Sequence, residues 1–138
     1  MPAILFLDSD VALDLLMERP DFYKHSAQLF LKIQNGQATG FMSAVAFINT
    51  HYFLRKYLGK EKSIQTLREF KKLVSVATVA EQNIDKALYS PFPDFEDAVQ
   101  HEAALNCKAG FIITRNLEHY KKSTLPVYTP EDYLKNFT

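Results

Sequence analysis

The sequence predicts an α/β fold: a parallel sheet covered on both faces by helices. Three observations predict it. Short runs such as Ala3 to Leu7 and Phe111 to Thr114 are apolar without alternation, as strands buried on both faces require. Longer stretches between them repeat their apolar residues near helical spacing. The two kinds alternate along the chain, and the helical stretches supply the long crossovers that parallel pairing needs.

Taken in order, Ala3 to Leu7 is a strand that stops abruptly at Asp8, and Val11 to Met17 is a helix carrying Val11, Leu15 and Met17. Asp21 to Gln34 repeats Phe22, Ala27, Leu29, Phe30 and Ile33 at helical spacing and ends at Asn35-Gly36. Gly40 to Ser43 is a brief second strand, with Ser43 placed to cap the next helix, Ala44 to Leu58, which Gly59 terminates. Glu61 to Leu73 is amphipathic through Ile64, Leu67, Phe70 and Leu73, and Val74 to Val79 is a β-branched, alternating strand. Asn83 to Tyr89 is a short helix stopped by Ser90-Pro91-Phe92-Pro93. Asp94 to Lys108 is a helix closed by Ala109-Gly110. Phe111 to Thr114 and Pro126 to Tyr128 are the last strands, and Glu131 to Asn136 the last helix.

The chain has 138 residues, the size of one domain, and residues 1–138 read as a single one. Hydrophobic content of 47% and charged content of 23% exclude a disordered chain. Sixteen basic residues balance sixteen acidic ones, which excludes a polybasic protein that holds nucleic acid mainly by neutralising phosphates. The halves about residue 70 are balanced too. Cys107 is the only cysteine, no apolar run reaches ~18 residues, and the N-terminus lacks a basic head; these features predict a cytoplasmic protein with no membrane segment. His25, His51, His101 and His119 lack ligand spacing, which argues against zinc, and Cys107 reads as a core thiol.

In parallel sheets function collects at the carboxyl ends of strands, where strand order reverses. Asp8-Ser9-Asp10 follows the first strand, where a carboxylate needs a cation, a hydrogen-bond donor or a helix N-terminus to meet it. Asp8 or Ser9 can cap the Val11 helix, and capping suits Asp10 better still. Asp94-Phe95-Glu96-Asp97 opens another helix. Asp94 suits the cap, Asp97 a ligand role and Glu96 solvent, because Asp97 shares a stripe with His101 and Ala104 while Phe95 packs along a different one. Thr114-Arg115-Asn116 follows the Phe111 strand, and beside Asp8 its Asn116 amide is placed to hold a water or a carboxylate.

The segments Phe6-Leu7-Asp8-Ser9-Asp10-Val11, Asp94-Phe95-Glu96-Asp97-Ala98 and Ile112-Ile113-Thr114-Arg115-Asn116, in this order, resemble a PIN (PilT N-terminus) domain. The resemblance runs through Pro126 to Glu131 and is closest to the small bacterial VapC-type toxins. It implies a three-layer α/β/α, PIN-like fold with a roughly five-stranded parallel sheet. It also implies a Mg²⁺- or Mn²⁺-dependent endoribonuclease acting as the toxin of a type II toxin–antitoxin pair, with RNA as substrate and an antitoxin as partner. Asp8, Asp97 and Asn116 correspond to the family's catalytic positions, with Asp8 and Asp97 as metal ligands. Accessory roles fall to Ser9, Asp10, Asn49, Asp94, Glu96, Thr114 and Arg115; Ser9 or Thr114 would meet a phosphate, and Arg115, Lys121 and Lys122 would guide RNA. Two positions depart from the pattern. Asn49 stands where many active members carry glutamate, which removes a charge and weakens Mg²⁺ binding. His119-Tyr120 stands where relatives often have Asp-Phe.

Two other readings compete. A binding module that acts through protein or RNA association fits the Asn49 departure. A phosphoryl-transfer domain fits the acidic pocket but lacks the lysine expected after the last buried strands. The Phe41 to Leu58 stretch is rich in aromatics (Phe41, Phe47, Tyr52, Phe53, Tyr57). Most of these are expected in the core, and any left on the surface would suit a homodimer or an antitoxin helix.

Overall fold

In the computed structural model, which describes residues 1–137, β1 (Ala3–Leu7) leads directly into α1 (Ser9–Leu16). Leu5, Phe6 and Leu7 are fully buried, so a strand without polar alternation lies between two layers of helix. Next come α2 (Tyr23–Gln34), β2 (Ala38–Ser43), α3 (Ala44–Leu58), α4 (Lys60–Phe70) and β3 (Val74–Ala77). The chain continues through α5 (Glu81–Leu88), α6 (Phe95–Asn106), β4 (Phe111–Ile113), a 3₁₀ turn (Leu117–Tyr120), β5 (Val127–Tyr128) and α7 (Pro130–Phe137). Among the described residues no helix is long and apolar enough to cross a membrane.

The five strands form one parallel sheet in the order β3-β2-β1-β4-β5. The chain winds one way from β1 through β2 to β3, then returns to the other side of β1 with β4 and β5. Strand order therefore reverses between β1 and β4, where Leu7 pairs with Ile113. The residues just beyond that pair are Asp8 and Thr114.

Side chains alternate between two cores. Leu5, Leu7 and Ile113 face a layer containing Val11, Leu29, Phe30, Met42 and Tyr133. Phe6 and Ile112 face Ala98, Val99, Ala103, Ala104 and Tyr120. Gly40 sits mid-β2, level with Leu5 and Val74. A Cβ there would lie 3.0 Å from Ile33 Cδ1 and 3.2 Å from both Leu7 Cδ1 and Val74 Cγ1. Gly40→Ala must push three packed side chains at once. It is expected to cost about 1–2 kcal/mol, read as a Tm lower by roughly 3–8 °C in thermal denaturation.

Several boundaries differ from the sequence expectation for physical reasons. The second helix starts at Tyr23, because Asp21 adopts φ +73 and cannot continue a helix. β3 ends at Ala77 because its partner β2 ends at Ser43, which leaves Thr78 and Val79 no ladder. The first helix begins at Ser9, since Asp8 and not Asp10 is its cap. The 3₁₀ turn at Leu117 is too short to show a period. Phe95, expected to pack, is 48% exposed, whereas Asp97's stripe-mates His101 and Ala104 are buried.

Candidate active site

Asp8 closes β1 and caps α1: its Oδ1 accepts from the Ser9 amide at 2.8 Å. Its Oδ2 accepts from the Thr114 hydroxyl at 3.0 Å, so the carboxylate is oriented from both strands at the switch point. Asp10 reaches across to the segment after β4. Its Oδ2 accepts from the Arg115 amide (2.9 Å), Asn116 Nδ2 (3.2 Å) and the Thr114 hydroxyl (3.3 Å). Its Oδ1 is buried with no partner among the described residues.

The second wall comes from α6. Asp94 caps that helix by accepting from the Asp97 amide at 3.0 Å, which leaves the Asp97 side chain turned toward Asp8 and His119. His119 Nδ1 stands 3.9 Å from Asp97 Oδ2. Asn49, from α3, donates to Glu96 at 2.5 Å. Ser43, which caps α3, also donates to buried Gln100. Asn49, Asp94, Glu96, Asp97, Gln100 and His119 line a cleft of about 310 Å³ with Asp8, Ser9, Asp10 and Asn116.

So many carboxylates in so little water raise one another's proton affinity. Burial pushes Asp10 up to about 6, helped by the Asp8 charge. Burial also pushes Asp97 to about 6, with Asp94 adding and His119 opposing. Asp8 is raised chiefly by burial. The Tyr120 phenol, buried beside them, is held well above its usual range by burial and by these carboxylates.

The metal-free protein should therefore lose stability as pH rises. The folded state holds the Asp10 proton more tightly than the unfolded state does. Its stabilising contribution is complete below about pH 4 and is lost as pH climbs through about 6. Urea titrations in EDTA are expected to show a fall of ~2 kcal/mol over that window. Asp10→Asn should make the fall shallower, with Asp97 and Asp8 keeping the remainder; an unchanged slope in that variant would assign the effect elsewhere.

Among the described residues no three His, Cys, Asp or Glu side chains come together to hold a metal ion. A cation in the cleft would meet the carboxylates of Asp8 and Asp97, with amides, hydroxyls and water around them. That set fits Mg²⁺, which keeps several waters and is usually bound through one or two carboxylates. The orphaned Asp10 Oδ1 and the mutual repulsion of the cluster also fit a cation.

A family model for the PIN domain matches residues 5–118. The chain belongs to the PIN domain family.

Among solved structures, this PIN domain superposes on VapBC2 from Rickettsia felis bound to a DNA fragment from its promoter, with 17% identity over 90% of this chain and 96% of that one (TM-score 0.65). It also superposes on VapBC-1 from nontypeable Haemophilus influenzae, with 19% identity, coverage of 93% and 98%, and TM-score 0.65. DNA-bound VapBC from Salmonella typhimurium gives 15% identity, coverage of 94% and 99%, and TM-score 0.67. At such identities the likeness shows the fold. No curated protein matches the chain in sequence.

The structure of this PIN domain brings Asp8, Ser9, Asp10, Asn49, Asp94, Glu96, Asp97 and Asn116 to one cleft. Thr114 and Arg115 are engaged differently from the sequence expectation. Thr114 is fully buried and spends its hydroxyl on Asp8 and Asp10, so it cannot meet a phosphate. Arg115 turns away from the cleft into a pair with buried Asp14, and its guanidinium stacks 3.8 Å over the Phe22 ring. It is committed to structure rather than free to guide RNA. Asp10 braces the β4 segment instead of capping a helix. Glu96 is exposed as expected, yet it is tied to Asn49. Two lining residues carried no sequence signal of their own. Gln100 lies one turn beyond Asp97 on α6, and His119 was legible only as a departure from the family pattern.

Proposed function

We propose that the chain, acting as one PIN-like domain over residues 1–138, is a Mg²⁺- or Mn²⁺-dependent endoribonuclease and the toxin of a VapC-type toxin–antitoxin pair. The observation that carries this reading is the convergence of Asp8, Asp10 and Asp97, from distant stretches of the chain, at the switch point of a PIN-family sheet. A divalent ion held by Asp8 and Asp97 would supply positive charge that polarises the scissile phosphate and acidifies an attacking water.

The protein's own part is positioning. Thr114 fixes one Asp8 oxygen and the Ser9 amide the other. Asp94 sets the helix start that carries Asp97. Asn116, held against Asp10 through Nδ2, stays at the rim, where its amide oxygen can orient a water. The VapBC relatives support an antitoxin as partner.

The test is incubation of the purified protein with total RNA, with and without Mn²⁺, beside Asp97→Ala. Cleavage that needs Mn²⁺ and vanishes in the variant is expected; equal cutting by the variant would refute the mechanism. A second reading, a PIN-like module that acts by association, is favoured by the neutral Asn49 bonded to Glu96. It predicts no Mn²⁺-induced rise in Tm at millimolar ion.

A further inference from the structure

The balanced charge of the chain conceals a segregation by element. Residues 55–72, the end of α3 together with α4 and the Lys71-Lys72 pair after it, hold seven basic residues and two acidic ones. The hairpin carries +5 and the rest of the chain −5. Among the described residues only Lys72 of these seven has an ion-pair partner, Glu69. The cations thus do little for the fold, since a lone surface lysine or arginine contributes almost nothing to stability.

The same hairpin exposes its rings. Tyr52 and Tyr57 are each 55% exposed and Phe53 45%, against the sequence expectation that most aromatics of this stretch are core. The reason is that α3 buries a narrow stripe, Ala46, Thr50 and Leu54, which recurs every fourth residue and leaves these rings on the far side. Helical geometry arranges them in two rows. Asn49, Phe53 and Tyr57 form one; Ile48, Tyr52 and Lys56 form the other. The first row begins inside the acidic cleft, because Asn49 lines it. Tyr52 and Phe53 stand edge to face at 5.2 Å, and Lys56 Nζ sits 4.2 Å over the Tyr52 ring.

We propose that these two adjacent rows of rings, with the unpaired cations of α3–α4 beside them, are the track on which a single-stranded RNA approaches the cleft, bases stacked on Tyr52, Phe53 and Tyr57 and phosphates toward Arg55 and Lys56. The proposal rests on the endoribonuclease reading and deepens it. The cleft is ringed by carboxylates and repels phosphate, so a strand must be held from outside it, and the adjoining positive element is α3–α4. Rings interleaved with cations are what a sequence-tolerant single-strand platform uses, whereas a duplex keeps its base faces covered. A second copy is the less favoured occupant, since a two-fold contact through this face would set +5 against +5.

The experiment measures binding apart from cleavage. A fluorescein-labelled oligouridylate of about 12 nucleotides is titrated with the protein in EDTA and followed by anisotropy. Tyr52→Ala and Tyr57→Ala are each expected to weaken binding about tenfold, with Tyr57→Trp retaining it. Arg55→Gln should reduce the salt slope by about one. Unchanged affinity in both alanine variants would overturn the proposal. So would a wild-type protein that does not bind the strand, or sedimentation showing that the variants break a dimer while binding RNA normally. If the track variants bind weakly but the wild type cuts no RNA with Mn²⁺, the nuclease reading fails and the track stands. If the variants bind and cut like wild type, the track fails and the nuclease reading stands.

Discussion

Asp97→Ala is expected to lower RNA cleavage more than about 100-fold, beyond the upper end for losing a group that only supports a metal ligand. It should also raise the melting temperature of the metal-free protein. Both follow from one arrangement. The side chain is 17% exposed and faces Asp8, Asp94 and Glu96, and the Asp97 carboxyl is held at about 6 largely by burial and those charges. Ionising it at neutral pH costs free energy, which solvent screening limits to ~1 kcal/mol. Alanine removes that cost and keeps the amide that Asp94 accepts from, so the α6 cap survives. Asp8→Ala makes a less clean comparison, because it also deletes the α1 cap and the acceptor of the Thr114 hydroxyl. Differential scanning fluorimetry in EDTA beside a cleavage assay with Mn²⁺ reads both signs. A variant that melts lower and still cleaves would mean Asp97 is a structural residue.

The layout of the sheet was legible because its strands are short apolar runs ended by polar residues. Leu7-Asp8 and Ile113-Thr114 mark the strand ends, and the switch-point rule says that function gathers there. The Ser43 and Asp94 caps were legible for the same local reason: each side chain meets an amide three residues away. What escaped was every role fixed by a distant partner. Asp10 looked like a cap because its sequence neighbours are helical, yet its Oδ2 accepts from Arg115 and Asn116 more than a hundred residues on. Arg115 looked like a free surface cation for want of any sign that Asp14 is buried beneath it. The α3 rings looked like core because composition does not reveal how narrow the buried stripe of a helix is. Charge, divided by sequence halves, cancelled; divided by element, it does not.

Asp14→Ala is expected to cost about 3 kcal/mol, the low end of the range for removing one member of a buried ion pair. Asp14 is fully buried, and its carboxylate meets Arg115 through Nε at 2.6 Å and through the terminal nitrogen at 3.0 Å, with Arg19 at 3.5 Å. Deleting the anion leaves two guanidiniums facing a cavity without their nearest counter-charge. Arg115 retains a quarter of its side-chain exposure and its place over Phe22, which is why the low end applies. The damage should reach the cleft through the backbone. Arg115 donates its amide to Asp10, and Asn116 follows immediately, so a loosened Arg115 frees the segment that holds both against α1. Cleavage is expected to fall about tenfold, well short of the Asp97→Ala effect, because Asp8 and Asp97 stay in place. Asp14→Asn keeps the shape and one acceptor oxygen and should cost less than alanine. Urea denaturation of the two variants checks the order, and a double-mutant cycle with Arg115→Ala measures the pair itself. A loss under 1 kcal/mol in Asp14→Ala, or additive effects in the cycle, would mean the pair is a solvated contact and the β4 segment is held by Asp10 alone.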